Sequence, residues 1–95
     1  MTIVLTSRQR SALKAKAHHL APIARVGVAG LSPAFVKEVD RALSDHELIK
    51  VRMDIEDREA RDEAGDELCA RTDAARVQRV GKTLILWRPR PDDEE

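Results

Sequence analysis

Arg25-Val26-Gly27-Val28-Ala29-Gly30-Leu31-Ser32-Pro33 is the stretch on which the reading of the whole chain turns. A short apolar run over residues 23–26 predicts a strand; Gly27 ends it, and Gly30 closes a two-residue gap. Ser32 suits an N-cap and Pro33 a first helical residue, where the missing N–H costs no hydrogen bond. The predicted order is therefore strand, Gly-x-x-Gly, helix start. The two glycines permit a tight turn with positive φ and the close approach of another backbone. Loop amides and a helix N-terminus together suit an anion such as a phosphate.

Toward the N-terminus, Thr6-Ser7-Arg8-Gln9 reads as a capping box, Thr with Gln three on, and predicts a helix over 7–19. Leu13, Ala17 and Leu20 share one face of it, while Arg10, Lys14 and His18 recur every fourth residue as a second, basic face. Pro22 stops the helix. Toward the C-terminus a second helix is predicted over 33–44, with Val36, Val39 and Leu43 as its buried stripe and Phe35 and Ala42 beside them. Lys37 and Arg41 share another face. Over 48–55, Ile49, Val51, Met53 and Ile55 alternate with Lys50, Arg52, Asp54 and Glu56. That is a strand with one buried face and with Lys50 and Arg52 together on the other. A third helix over 57–72 has a narrow apolar side, Ala60, Ala64 and Leu68 with Cys69 alongside. Gly65 inside it costs about 1 kcal/mol relative to alanine. Strands over 75–80 and 83–87 are joined at Gly81-Lys82, where a leading glycine suits a type II′ turn.

The expected fold class is α+β, an α/β two-layer arrangement: an N-terminal helix, then β-α-β-α-β-β, with helices packed on a mixed four-stranded sheet. Two βαβ crossovers imply parallel pairing, and the final hairpin adds antiparallel strands. Residues 1–91 are expected to form a single domain and residues 92–95 an acidic disordered tail.

Composition narrows the function. The 95 residues are 36% charged and 42% hydrophobic, enough for one core. No apolar run reaches the roughly 18 residues of a membrane span, and residues 1–10 carry no apolar signal segment. Cys69 is the only cysteine, so no internal disulfide forms. These features lead us to expect a cytoplasmic protein with no membrane partner. The formal net charge of zero conceals an asymmetry. Residues 1–52 hold nine Lys/Arg against four Asp/Glu, a net of +5, and residues 53–95 hold eight against thirteen, a net of −5. Charges act locally at physiological salt, so a positive half can attract phosphates while the acidic half faces solvent.

No catalytic constellation is present, and neither enzymatic activity, a cofactor nor a metal is expected. His18 and His19 are adjacent and point about 100° apart on a helix, a poor geometry for one ion. Cys69 suits a small packed side chain better than a nucleophile. Phe35 and Trp87 are the only aromatic residues of the Phe, Trp and Tyr class, too few for a base-stacking platform. An RNA ligand would therefore be held through its phosphates and its shape.

Ala17-His18-His19-Leu20, Pro22, Val26-Gly27-Val28-Ala29-Gly30-Leu31, His46-Glu47-Leu48-Ile49-Lys50-Val51 and Val80-Gly81-Lys82-Thr83-Leu84-Ile85-Leu86-Trp87-Arg88-Pro89 together closely resemble the CRM domain. That is the RNA-binding domain of chloroplast splicing and ribosome-maturation proteins, and its stand-alone form is the bacterial YhbY type. The resemblance implies a fold similar to the C-terminal domain of translation initiation factor 3, with an extra N-terminal helix. It also implies RNA binding, with bacterial members associating with precursors of the large ribosomal subunit. The family's glycine loop maps onto Gly27 and Gly30, and its basic contributions onto Arg25, Lys50 and Arg52. Two features depart from the family: Val28 and Ala29 stand where polar or basic residues are usual, and the tail is acidic. Both remove phosphate partners.

The expected site is thus Arg25, Gly27, Val28, Ala29, Gly30, Lys37, Arg41, Lys50 and Arg52, extended by Arg10, Lys14 and His18. The expected partner is ribosomal RNA of a large-subunit precursor, bound by a monomer. The alternative is a protein-interaction module of the same fold, with the Val28-Ala29 tip against a ribosomal protein and weak RNA affinity.

Overall fold

The computed structural model describes residues 4–27 and 30–89. The expected Val28-Ala29 loop tip and the acidic tail lie outside the described residues. Seven elements follow in order: α1 (Ser7–Ala17), β1 (Pro22–Val26), α2 (Pro33–His46), β2 (Leu48–Met53), α3 (Arg58–Thr72), β3 (Ala75–Val80) and β4 (Thr83–Trp87).

Local chemistry sets the ends of these elements. Thr6 and Gln9 make the full capping box: the Gln9 N–H donates to Thr6 Oγ1 at 3.0 Å and the Thr6 N–H to Gln9 Oε1 at 2.9 Å. At α2 the Phe35 N–H donates to Ser32 Oγ at 3.1 Å, with Pro33 in the first turn. The Ala60 N–H donates to Asp57 Oδ2 at 2.9 Å, which makes Asp57 the cap of α3 instead of its first residue. Two helices depart from expectation at their C-terminal ends. α1 stops at Ala17, leaving Leu20 beyond the helix and 37% exposed instead of on its buried face. α2 runs two residues past Ser44 and is closed by Glu47 at φ 66°. Gly81 has φ 58° and Lys82 stays out of the left-handed region, the pattern of a type II′ turn.

The four strands form one mixed sheet in the order β1-β2-β4-β3. β1 and β2 are parallel, as the first crossover implies, and β4 is antiparallel to both neighbours. The second crossover does not give a paired parallel ladder, because β4 lies between β2 and β3. Burial explains the insertion. Leu84, Ile85 and Leu86 are all buried, so β4 needs cover on both faces and takes a central place. β3 carries Arg76, Arg79 and the exposed Val80, and suits an edge. The other edge is β1, which begins at Pro22, a residue with no N–H to offer a neighbour.

Alternation along β2 splits the core in two. Ile49, Val51 and Met53 face α2 and α3 and pack with Val39, Leu43, Leu68, Leu84 and Leu86. On the other face, Leu13 and Ala17 of α1 pack on Val77 and Ile85, flanked by Leu48 and Trp87. α2 and α3 thus form the layer against the sheet, and α1 covers part of its opposite face. Gly65 is buried; a Cβ there would meet Leu84 Cδ2 at 3.4 Å and Met53 Sδ at 3.7 Å. α3 thus lies against β2 and β4 at this residue. Thr72 is also buried, its hydroxyl donating to the Leu68 carbonyl at 2.8 Å.

Arg88 fastens one end of the molecule. Its guanidinium donates to Asp40 Oδ1 at 2.6 Å, the Asp40 carbonyl at 2.9 Å, Ser44 Oγ at 2.9 Å and the Thr72 carbonyl at 2.7 Å. One half-buried cation thereby joins α2 to the C-terminus of α3, where the helix dipole favours positive charge.

Candidate nucleic-acid interface

The opposite end of the sheet carries the glycine loop. β1 and β2 run parallel, so both finish there, and the β3–β4 hairpin turns there too: the Met53 N–H donates to the Lys82 carbonyl at 2.6 Å. The Asp54 N–H donates to the Val26 carbonyl at 2.8 Å, holding the end of β2 against the start of the loop. The Gly30 N–H donates to the Gly27 carbonyl at 3.0 Å and closes the turn, with Gly30 at φ 81°, where a side chain would be strained. Gly27 is exposed, and a Cβ added to it would meet nothing within 4 Å, so packing does not demand glycine there. The first turn of α2 holds no carboxylate, which leaves its positive end uncompensated.

Strand register then sorts the predicted cations. Ala24 and Val26 pack into the α2–α3 core, so Arg25 lies on the other face of β1, beside its register partner Arg52. Lys50, two residues earlier on β2, lies on that face as well. One cross-strand row reads Arg25, Arg52, Thr83, Val80, and the next contains Lys50, Ile85, Gln78. Lys14 and His18 of α1 reach the second row: both line a hollow with Lys50, Gln78, Val80, Thr83 and Ile85. The structure thus brings Arg25, Lys50, Arg52, Lys14 and His18 to one side of the sheet, with Arg25 and Arg52 at the end bearing Gly27 and Gly30.

The remaining predicted residues fall elsewhere. Arg10 lines a separate hollow with Asp62, Asp66, Arg76 and Arg79 at the β3 edge. Lys37 and Arg41 are exposed on α2, on the far side of that helix from its buried Phe35, Val39 and Leu43. Lys37 is one turn from the loop, whereas Arg41 is about 12 Å along the axis from Pro33 at 1.5 Å per residue.

The acidic half lies mainly across the sheet. α3 sends Asp66 to Arg76 at 3.2 Å and Asp62 to Arg79, while Glu67 pairs with Arg71 at 3.1 Å. Lys14, Lys37, Arg41 and Lys50 pair with no carboxylate among the described residues. Asp54 is the exception to this segregation. It lies among the cations, accepts from Arg52 Nε at 2.8 Å and forms an ion pair with Arg25 Nε at 3.0 Å. The Arg52 hydrogen bond holds its carboxyl below the usual carboxylate range; desolvation opposes this, and the Arg25 charge reinforces the lowering. Beside it, Lys82 Nζ donates to Glu56 Oε2 at 2.7 Å and lowers that carboxyl likewise.

Gln78, Val80 and Thr83 belong to this face but were not among the expected site residues. Their strands are legible in the sequence, but no local signal shows that β4 brings them beside Lys50 and Arg52. Other chemistry is sparse. The rings of His18 and His19 meet edge to face at 5.5 Å. Burial pushes the Cys69 thiol up to about 11. No group of three His, Cys, Asp or Glu side chains among the described residues could hold a metal ion. No helix among them is long and apolar enough to cross a membrane.

Known proteins resemble this chain in sequence and in fold. The chain is 39% identical over 89 residues to "Probable RNA-binding protein PA4753" of Pseudomonas aeruginosa, covering 94% of this chain and 86% of that one. It is 40% identical over 85 residues to a Haemophilus influenzae protein named "RNA-binding protein", covering 90% and 86%. The solution structure of the hypothetical protein SAV1595 from Staphylococcus aureus superposes with a TM-score of 0.83 at 27% identity, covering 96% of this chain and 95% of that one. The family model of the CRS1/YhbY (CRM) domain matches residues 5–88. With that match over nearly its whole length, and with relatives near 40% identity, the chain belongs to the CRS1/YhbY (CRM) domain family.

Proposed function

We propose that this protein binds RNA, and that its target is ribosomal RNA in precursors of the large ribosomal subunit, where it acts as an assembly factor. One observation carries the reading. Arg25, Lys50, Arg52, Lys14 and His18 share a sheet face opposite the acidic α3, beside a helix N-terminus with no carboxylate in its first turn. A phosphate chain can lie on such a face without meeting the acidic helix. The names of the relatives from Pseudomonas aeruginosa and Haemophilus influenzae support RNA binding. In this mechanism the amides of Gly27, Gly30 and the first turn of α2 hold one phosphate, and the sheet-face cations neutralise its neighbours. Nothing in it calls for catalysis.

Counterion release tests the reading. With about four phosphates engaged on single-stranded RNA, log K falls against log salt with a slope of roughly −3. Lys50→Ala flattens that slope by about 0.7 and weakens all sequences alike. An affinity independent of salt refutes the mechanism. Crosslinking in cells followed by sequencing of the bound RNA tests the target, and recovery without enrichment of large-subunit ribosomal RNA refutes it. A second reading, contact with a ribosomal protein, is favoured by an apolar hollow of about 490 Å³ at the β1 edge, where Leu20 and Ile23 are 37% and 40% exposed. Its mark is association with the precursor particle that survives nuclease treatment.

A further inference from the structure

We infer that the hollow between α1 and the sheet receives one unpaired nucleobase of the bound RNA, so that this surface reads bases as well as phosphates. The inference rests on the RNA-binding reading above. The hollow measures about 220 Å³, below the roughly 300–1,000 Å³ of pockets for drug-sized ligands, and suits a small planar group. Its floor is apolar: Ile85 is buried, and Val80 is 56% exposed on a face otherwise rich in charge. Phosphate gains nothing from an aliphatic floor, whereas the flat face of a base does. Two readers of base edges stand at the wall. The Gln78 amide offers donor and acceptor together, and the Thr83 hydroxyl offers either. Neither has a hydrogen-bond partner among the described residues. Lys14, His18 and Lys50 complete the lining, and the two lysines supply charge for the phosphates on either side of the base.

The register shows why these groups converge. Lys50, Ile85 and Gln78 form one cross-strand row, and Thr83 and Val80 belong to the next, all on the face that α1 only partly covers. A base held in a duplex keeps its face stacked and its pairing edge occupied, so the occupant is a base from a single strand, loop or bulge. The His18 imidazole is the one aromatic ring lining the hollow among the described residues, and aliphatic contact adds to it.

The test uses the full chain and single-stranded RNA decamers: the four homopolymers and an abasic ribose-phosphate decamer, by fluorescence anisotropy at fixed salt. We expect the abasic decamer to bind about tenfold more weakly than the best homopolymer, at the same salt slope. The double variant Gln78→Leu/Thr83→Val removes the edge readers while keeping the shapes, and levels the four homopolymers. Val80→Glu, at an exposed edge position, puts a charge on the floor and abolishes the preference independently. Arg25→Ala, on the phosphate face but outside the hollow, weakens all homopolymers and keeps their order. Equal binding of abasic and homopolymer decamers by the wild type overturns the inference, as does unchanged discrimination in both hollow variants. Absence of salt-dependent binding to every decamer, the abasic one included, instead overturns the RNA-binding reading on which it rests.

Discussion

Asp54→Asn should tighten RNA binding, although it removes two ion pairs. Asp54 holds Arg25 Nε at 3.0 Å and Arg52 Nε at 2.8 Å, on the face proposed for phosphate. Any phosphate using those arginines must displace or outcompete this carboxylate. The arginine side chains are 71% and 44% exposed, so each pair is weak, and freeing both gives about a fivefold gain in affinity. The assay is anisotropy with a labelled single-stranded decamer, at low and at physiological salt, because the gain shrinks with screening. The pH profile separates this from a general charge effect. Arg52 and Arg25 hold the Asp54 carboxyl below its ordinary value, so it remains ionised throughout the neutral range. Its contribution to stability is present above the unfolded-state carboxylate value and is lost only as pH falls through the lowered folded value. The gain in Asp54→Asn is therefore flat between about pH 6 and 8, where an ordinary carboxylate does not titrate. Unchanged or weaker binding by a folded Asp54→Asn protein refutes the assignment of Arg25 and Arg52 to RNA.

Arg88→Ala removes bonds to Asp40, Ser44 and Thr72, and should lower stability by about 2–4 kcal/mol in urea unfolding. Arg88→Lys should recover less than half of that, since an ammonium cannot reproduce the planar fork, and a wild-type midpoint in either variant refutes the staple. Gly65→Ala should stabilise by up to about 1 kcal/mol, because the new methyl meets Leu84 at ordinary contact distance while helix propensity improves. Gly65→Leu should destabilise by overpacking against Leu84 and Met53, and a stabilised Gly65→Leu would contradict the close approach. Cys69, its thiol pushed up to about 11 by burial, should react with a thiol reagent at pH 8 far more slowly in the folded protein than in urea. Equal rates would contradict that burial.

Much of the molecule was legible residue by residue. The Thr6–Gln9 box, the Ser32–Pro33 start and the Gly81 turn act within four residues, so their chemistry is complete in the local sequence. The alternation over Ile49, Val51 and Met53 also announced which side of β2 is buried and set Lys50 and Arg52 together on the other. Misreadings arose where a distant contact sets a local choice. Leu20 looked like the continuation of an apolar face, but α1 ends before it. The helix cost of Gly65 was legible, but only the fold shows its proximity to Leu84 and Met53.

The sequence by itself determined the seven elements, the caps of α1 and α2, the Gly81 turn, and the sorting of β2 side chains to one face or the other. These follow from dihedral preference, periodicity and hydrogen bonds that reach three or four residues along the chain. Only the tertiary structure decided that β4 enters between β2 and β3, that α1 lies across the sheet from α2 and α3, and that Asp54 sits between Arg25 and Arg52. Strand order follows from which strand must be covered on both faces, and charge pairing follows from register. Both depend on residues far apart in sequence, whose mutual placement is fixed only when the core closes.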